Sequence, residues 1–264
     1  MSLMQRCIRV LPLSLVGLGL CAANGANAQI NSINSAVIHA RVFNDAPNSN
    51  FVSVNNYPSL ISLSDTNVSV PGPTGSFANR HTWNFSNDGS TDYKFNNNGY
   101  FQASMTLNLS GTVSPRKEAG FLLQTVGGDG QFIVNTDGHE VVVFGGPLPF
   151  YSFNGSNGLT FNSGDTITLG MTYFKDSNGK NAIIYTANGI NSPAQEFSNL
   201  EQGIITGSTL GGYLQVPIDR GNANNGATAL FTNISIKAVP EPSAYAAFGL
   251  GLTSLGLLLR RRRK

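Results

Sequence analysis

The sequence predicts an all-β protein, an antiparallel two-sheet β-sandwich lying between two terminal targeting segments. Three observations carry this. Residues 100–110 and 165–174 alternate strictly between apolar and polar side chains. An Asp-Gly turn joins two apolar runs. Asn, Gly, Ser and Thr dominate the central 210 or so residues, while long charged side chains are scarce, a composition of strands and turns rather than helices.

The first alternating segment places Phe101, Ala103, Met105, Leu107 and Leu109 on one side and Gln102, Ser104, Thr106, Asn108 and Ser110 on the other. The second does the same with Ile167, Leu169, Met171 and Tyr173 against Thr166, Thr168, Gly170 and Thr172. A period of two means a strand with one face buried and one wet. Between them, 131–135 and 140–144 flank Thr136-Asp137-Gly138-His139, a hairpin signal. Further strands are expected at 36–43, 59–63, 81–85, 119–126, 181–187, 212–216 and 228–237. Ten or more strands at this spacing suit a sandwich. One helix is expected from Ser192, with Pro193 in its first turn and Gly203 as its stop.

The N-terminus reads as a secretory signal over residues 1–28. Arg6 and Arg9 precede an apolar stretch from Val10 to Ala23, and Ala26-Asn27-Ala28 offers a small-x-small site with cleavage after Ala28. Cys7 and Cys21 are the chain's two cysteines and both leave with this segment. The mature chain is thus expected to have no disulfide, no thiolate nucleophile and no cysteine-bound metal. The net charge also changes. The full chain is +2, but between Gln29 and Lys237 nine Lys or Arg face thirteen Asp or Glu, a balance of −4. That mildly acidic domain has no basic patch, so nucleic acid is not an expected partner.

The last residues, 238–264, have three parts. Pro240, Glu241 and Pro242 cannot continue a helix or pair in a central strand. Sixteen apolar or small residues, Ala244 to Leu259, would make a helix of about 24 Å. That is short for a hydrocarbon core of about 30 Å but able to span it. Arg260 to Lys264 then remain on the cytoplasmic side. This order resembles the PEP-CTERM sorting signal of exopolysaccharide-producing Gram-negative bacteria. The resemblance implies export across the inner membrane and transient anchoring by the C-terminal helix. It further implies processing near Pro-Glu-Pro by an exosortase, with delivery to the cell surface or extracellular matrix. The central domain, residues 29–237, is similar to jelly-roll domains of laminin-G-like and concanavalin-like type. That likeness rests on Gly120–Leu123, Gly130–Val134, Asp137-Gly138 and the closing strand that runs into Pro240.

The sequence lacks a Gly-x-Ser-x-Gly elbow, a His-Glu-x-x-His zinc site and a Glu-x-Asp-x-Glu strand. Its acids are isolated, so the two facing carboxylates of a glycosidase are not evident. The expectation is therefore a non-enzymatic surface protein, a structural or adhesive component of an exopolysaccharide matrix. The alternatives are a carbohydrate-binding module and a secreted polysaccharide hydrolase or lyase. Tyr151 and Trp83 are the candidate sugar-stacking rings. Asp129 and Asp137 are weak candidates for a structural calcium ion, and no other cofactor is expected.

Glu241 is the one charge in the Pro-Glu-Pro triplet. Glu241→Ala is expected to block tail processing, read by immunoblotting of cell fractions. Unchanged maturation would count against recognition of the triplet.

Overall fold

A computed structural model of the chain describes residues 30–72, 77–198 and 200–240. Both the expected signal segment, with Ala26 and Ala28, and the tail from Glu241 and Pro242 onward lie outside these residues. No described helix is long and apolar enough to cross a membrane.

Fifteen strands and one short helix are described: β1 (Ser35–Asn44), β2 (Asn50–Asn56), β3 (Leu60–Thr66), β4 (Ala78–Ser86), β5 (Phe101–Gly111), β6 (Glu118–Thr125), β7 (Gly128–Asn135), β8 (Val141–Phe144), β9 (Tyr151–Ser152), α1 (Phe153–Asn157), β10 (Thr166–Lys175), β11 (Asn181–Ala187), β12 (Ile190–Asn191), β13 (Gln195–Glu196), β14 (Thr209–Pro217) and β15 (Gly226–Ala238). One sheet has the order β1-β4-β14-β6-β7-β8-β9. The other runs β12-β11-β10-β5-β15-β3-β2, with β13 also on β11. All pairings are antiparallel. The result is a two-sheet jelly-roll sandwich, as the alternation required.

The inner faces make one core. Strand β5 turns its apolar set inward, and β10 matches it with Ile167, Leu169, Met171 and Tyr173. Opposite them, Trp83 packs edge-on against Phe85 and Phe231, at 5.3 and 5.7 Å between ring centroids. Gly212 makes room for the indole, since a Cβ there would stand 2.5 Å from Trp83 Nε1. Such edge-to-face contacts add to area burial.

Strand β4 also sends polar groups inward. His81 Nε2 lies 2.9 Å from Asp65 Oδ2 on β3, both side chains fully buried. The Arg41 backbone N–H donates to His81 Nδ1, so Nε2 carries the ring proton and donates to Asp65. Asn79 donates to Asp65 Oδ2 at 2.8 Å, to the Ala46 carbonyl and to Ser49 Oγ, and accepts from the Ala46 N–H. Phe51 of β2 stacks on the imidazole at 3.8 Å. This network fastens the 45–49 connection, where the chain crosses from one sheet to the other.

The sequence expectations are met at eleven strands and missed elsewhere. Strand β2 was not anticipated: Val52 and Val54 are exposed on an edge strand, so no buried set marks it. The helix expected from Ser192 does not form. Ser192 Oγ instead accepts from the Tyr185 N–H, and Gln195 and Glu196 pair with Ile183 and Ala182. An ion pair from Lys180 Nζ to Glu196 at 2.6 Å holds that edge. The helix that does form is α1, capped by Ser152, whose hydroxyl accepts from the Gly155 N–H, and ended by left-handed Gly158.

Burial raises the pKa of Asp65, but the hydrogen bonds from His81, Ser49 and Asn79 outweigh it, so the carboxyl sits below its ordinary value. A depressed carboxylate contributes stability that is present above its unfolded pKa of about 3.9 and lost as pH falls through the folded value. Asp65→Ala would strand the donors of His81 and Asn79, at about 3–5 kcal/mol. Urea midpoints at pH 7 should fall accordingly, and the variant should lose less further stability than the wild type between pH 5 and the folded pKa.

Candidate functional site

The outward residues of the seven-stranded sheet make the candidate site. On β4 these are Arg80, Thr82, Asn84 and Ser86, because His81, Trp83 and Phe85 are committed to the core. Register then sets Arg80 beside Gln215 and Thr82 beside Tyr213 on β14. The same rows continue to Glu118 and Gly120 on β6, then to Asn135 and Ile133 on β7. Leu122, Ile133, Val142 and Tyr213 form a second, small apolar cluster on this side, with Phe144 against it. Two close approaches shape the centre. A Cβ on Gly211 would stand 1.7 Å from the Trp83 carbonyl, and one on Gly120 would stand 1.9 Å from that of Phe132.

Arg80 reaches across the middle. Its Nε donates to Gln215 Oε1 at 3.0 Å, its Nη1 donates to Asp129 Oδ2 at 3.0 Å, and its guanidinium carbon lies 5.5 Å from the Tyr213 ring centroid. Among the described residues Nη2 makes no hydrogen bond. The Tyr213 hydroxyl donates to Gln131 Oε1 at 3.0 Å and faces Glu118 Oε2 at 3.4 Å. Desolvation first, and the Glu118 charge second, push its pKa well up, so the phenol keeps its proton. Glu118 is in turn held by Arg116 Nε at 2.8 Å, and Arg116 also pairs with Glu140.

A second constellation lies beside it. His39 of β1 stands next to Thr82, hence two strands, or about 10 Å, from Tyr213. Its Nε2 is 2.7 Å from Asp92 Oδ1, and Asn84 donates to Asp92 Oδ2 at 3.1 Å. Asn84 also donates to Gln124, which accepts a further bond from Thr209. Asp92, Lys94, Gln124, Asp129 and Thr209 line an open cleft of about 420 Å³ at this end of the sheet. Asp129 belongs to both groups and joins the cleft to Arg80.

The residues singled out from sequence are scattered. Trp83 is fully buried in the core, where it cannot meet a sugar. Tyr151 is half-buried on β9, its hydroxyl on Asn157 and its ring against Phe153. Neighbouring Phe150 is the ring that stands out into solvent, 68% exposed. Asp129 is engaged by Arg80, and Asp137 stands in the turn beyond the other end of β7. One calcium ion cannot take both. No group of three or more His, Asp or Glu suited to a metal ion occurs among the described residues. Pro240 is exposed and lines a shallow groove with Phe174 and Ile184 on the other sheet.

Arg80, Tyr213, Gln131, Gln215, Glu118 and the His39–Asp92 pair were not singled out from sequence. The signal was present in β4, where Arg, Thr, Asn and Ser alternate with His, Trp and Phe. It went unread because five strands far apart in the chain share the site.

Residues 238–263 match the family model of the PEP-CTERM protein-sorting motif. The chain ends in a PEP-CTERM motif. Export, processing by an exosortase and sorting to the surface or beyond follow from it. No curated protein matches the chain in sequence. Among solved structures, an alginate lyase from a Corynebacterium species superposes with a TM-score of 0.52 at 9% identity, over 80% of this chain and 96% of that one. An alginate lyase of polysaccharide lyase family 7 gives 0.49 at 11% identity, over 81% and 98%. One from Pseudomonas aeruginosa gives 0.48 at 13%, over 68% and 82%.

The Corynebacterium likeness is one of fold, and it overturns the expectation of a non-enzymatic protein, because this sandwich is one on which polysaccharide cleavage is carried out. The sequence search had looked for paired carboxylates, which serve hydrolysis. Elimination needs other groups, and a cation, a protonated phenol and a histidine share this face.

Proposed function

We propose that the protein is an exported polysaccharide lyase, delivered to the cell surface or matrix, that cleaves an acidic, uronate-containing polysaccharide by β-elimination. The observation that carries this is the Arg80–Tyr213 pair on the outer face of the seven-stranded sheet. The likeness of fold to an alginate lyase supports it.

Elimination at a uronate removes the proton on C5, forms a C4=C5 double bond and breaks the bond from C4 to the glycosidic oxygen. The C5 proton is weakly acidic until the adjacent carboxylate is neutralised. Arg80 supplies that charge through Nη2, with Nε and Nη1 fixed by Gln215 and Asp129. The His39 ring is held through Nε2 by Asp92, which leaves Nδ1 to take the C5 proton. Tyr213 lies fully buried beneath the outer side chains of the sheet and is kept protonated by that burial; it gives its proton to the departing oxygen once the bound sugar displaces the side chains that cover it. Lys94 adds positive charge at the mouth of the cleft and favours a polyanionic chain.

The test incubates the exported protein with polyuronates and with a neutral glucan. New ends should carry the ultraviolet absorbance of a double bond conjugated to a carboxylate, from the polyuronate alone. New ends without that absorbance would mean hydrolysis, and no ends from any polyuronate would defeat the proposal. Tyr213→Phe keeps the ring under Arg80 and removes only the hydroxyl. It should lower kcat about 10²–10⁴-fold, the usual worth of a general acid, with little change in KM.

A further inference from the structure

Strand β1 carries a bulge beside the candidate site. His39 pairs with Thr82 and Phe43 pairs with Arg80, so β1 takes the longer path between the two pairs. In an unbroken ladder Arg41, not Phe43, would stand opposite Arg80. Arg41 is instead left-handed, with φ 54°. Its guanidinium turns to the 45–49 connection, donating to Asn44 Oδ1 and to the carbonyls of Ala46 and Ser49. A non-glycine residue holds such a backbone only where its surroundings fix it. Bulges of this kind re-aim side chains next to active sites. Here the bulge exchanges a cation for an aromatic ring. Residues paired across antiparallel strands share a face, so Phe43 points the same way as Arg80 and His39. Its side is open, because β1 is the outer strand of the sheet, and it is 49% exposed.

We propose that Phe43 is a sugar-binding residue, whose ring stacks on the C–H face of the unit next to the uronate held by Arg80. This rests on the lyase reading of the same face. A pyranose carries its hydroxyls around the rim and C–H bonds on its faces, so a flat apolar ring can bind it without regard to charge. A second guanidinium in this place would repel Arg80 and compete for the carboxylate. With the bulge, Arg80 reads the carboxylate and Phe43 fixes the plane of the neighbouring sugar. His39 stands two residue pairs away along β4, about 7 Å. A stacking contact made equally before and during bond breaking contributes to binding and not to the chemical step.

Steady-state kinetics of the exported protein on a polyuronate, followed by the absorbance of the new double bond, test this. Phe43→Ala should raise KM about tenfold and change kcat less than about twofold. Phe43→Trp should keep KM near that of the wild type. Phe43→Leu keeps apolar bulk on the edge strand without the flat ring, so it should resemble Phe43→Ala, and it decides the matter should the alanine variant fail to fold. A wild-type KM in the leucine variant, or a loss confined to kcat, would overturn the inference and leave the lyase reading intact. A wild-type protein that cleaves no polyuronate would remove both.

Discussion

The buried Asp65–His81 contact is the constraint on which the rest depends. It joins β3 of one sheet to β4 of the other inside an apolar core, where a lone carboxylate would be prohibitively costly. Asn79, Ser49 and the Arg41 backbone complete its hydrogen bonding and tie down the crossing between β1 and β2. Because β4 alternates, fixing Asn79 and His81 inward fixes Arg80, Thr82 and Asn84 outward. A one-residue slip would bury the guanidinium and expose the imidazole. The register of the outer face of the seven-stranded sheet is therefore set from the opposite side of the same strand.

The two outer faces of the sandwich have diverged. That of the eight-stranded sheet is a field of hydroxyls and amides, with Ser64 bonded to Thr228, Ser104 to Ser235 and Thr106 to Thr168. The other gathers charged side chains into pairs, Arg80 with Asp129, Arg116 with Glu118 and His39 with Asp92. The Arg80–Asp129 pair crosses from β4 to β7, so it is oriented by sheet order rather than by a loop. The elimination chemistry proposed for this face asks for such orientation more than for unusual residue types.

How much of this the sequence disclosed follows from where the signals lie. Strands β5 and β10 were legible because their alternation is local and complete. Strand β2 was not, since an edge strand with exposed valines has no buried face to betray it. Ser192-Pro193-Ala194-Gln195 has the grammar of a helix start, yet pairing with β11 offered its backbone partners that a short helix could not. The site was less legible still. Arg80, Glu118, Gln131 and Tyr213 converge only through sheet order, which no short window contains. The search also asked for carboxylate pairs, a question suited to a different bond-breaking reaction.

The position of β15 has a mechanical consequence. It lies between β5 and β3, and its C-terminal end leads into the sorting motif. A pull on that end, opposed by a load on the other sheet, runs along the strand axis. Such a force loads the ladders on both sides of β15 together in shear, instead of opening them one bond at a time. Tension on that end is therefore shared by the ladders to β5 and to β3 rather than carried by one of them.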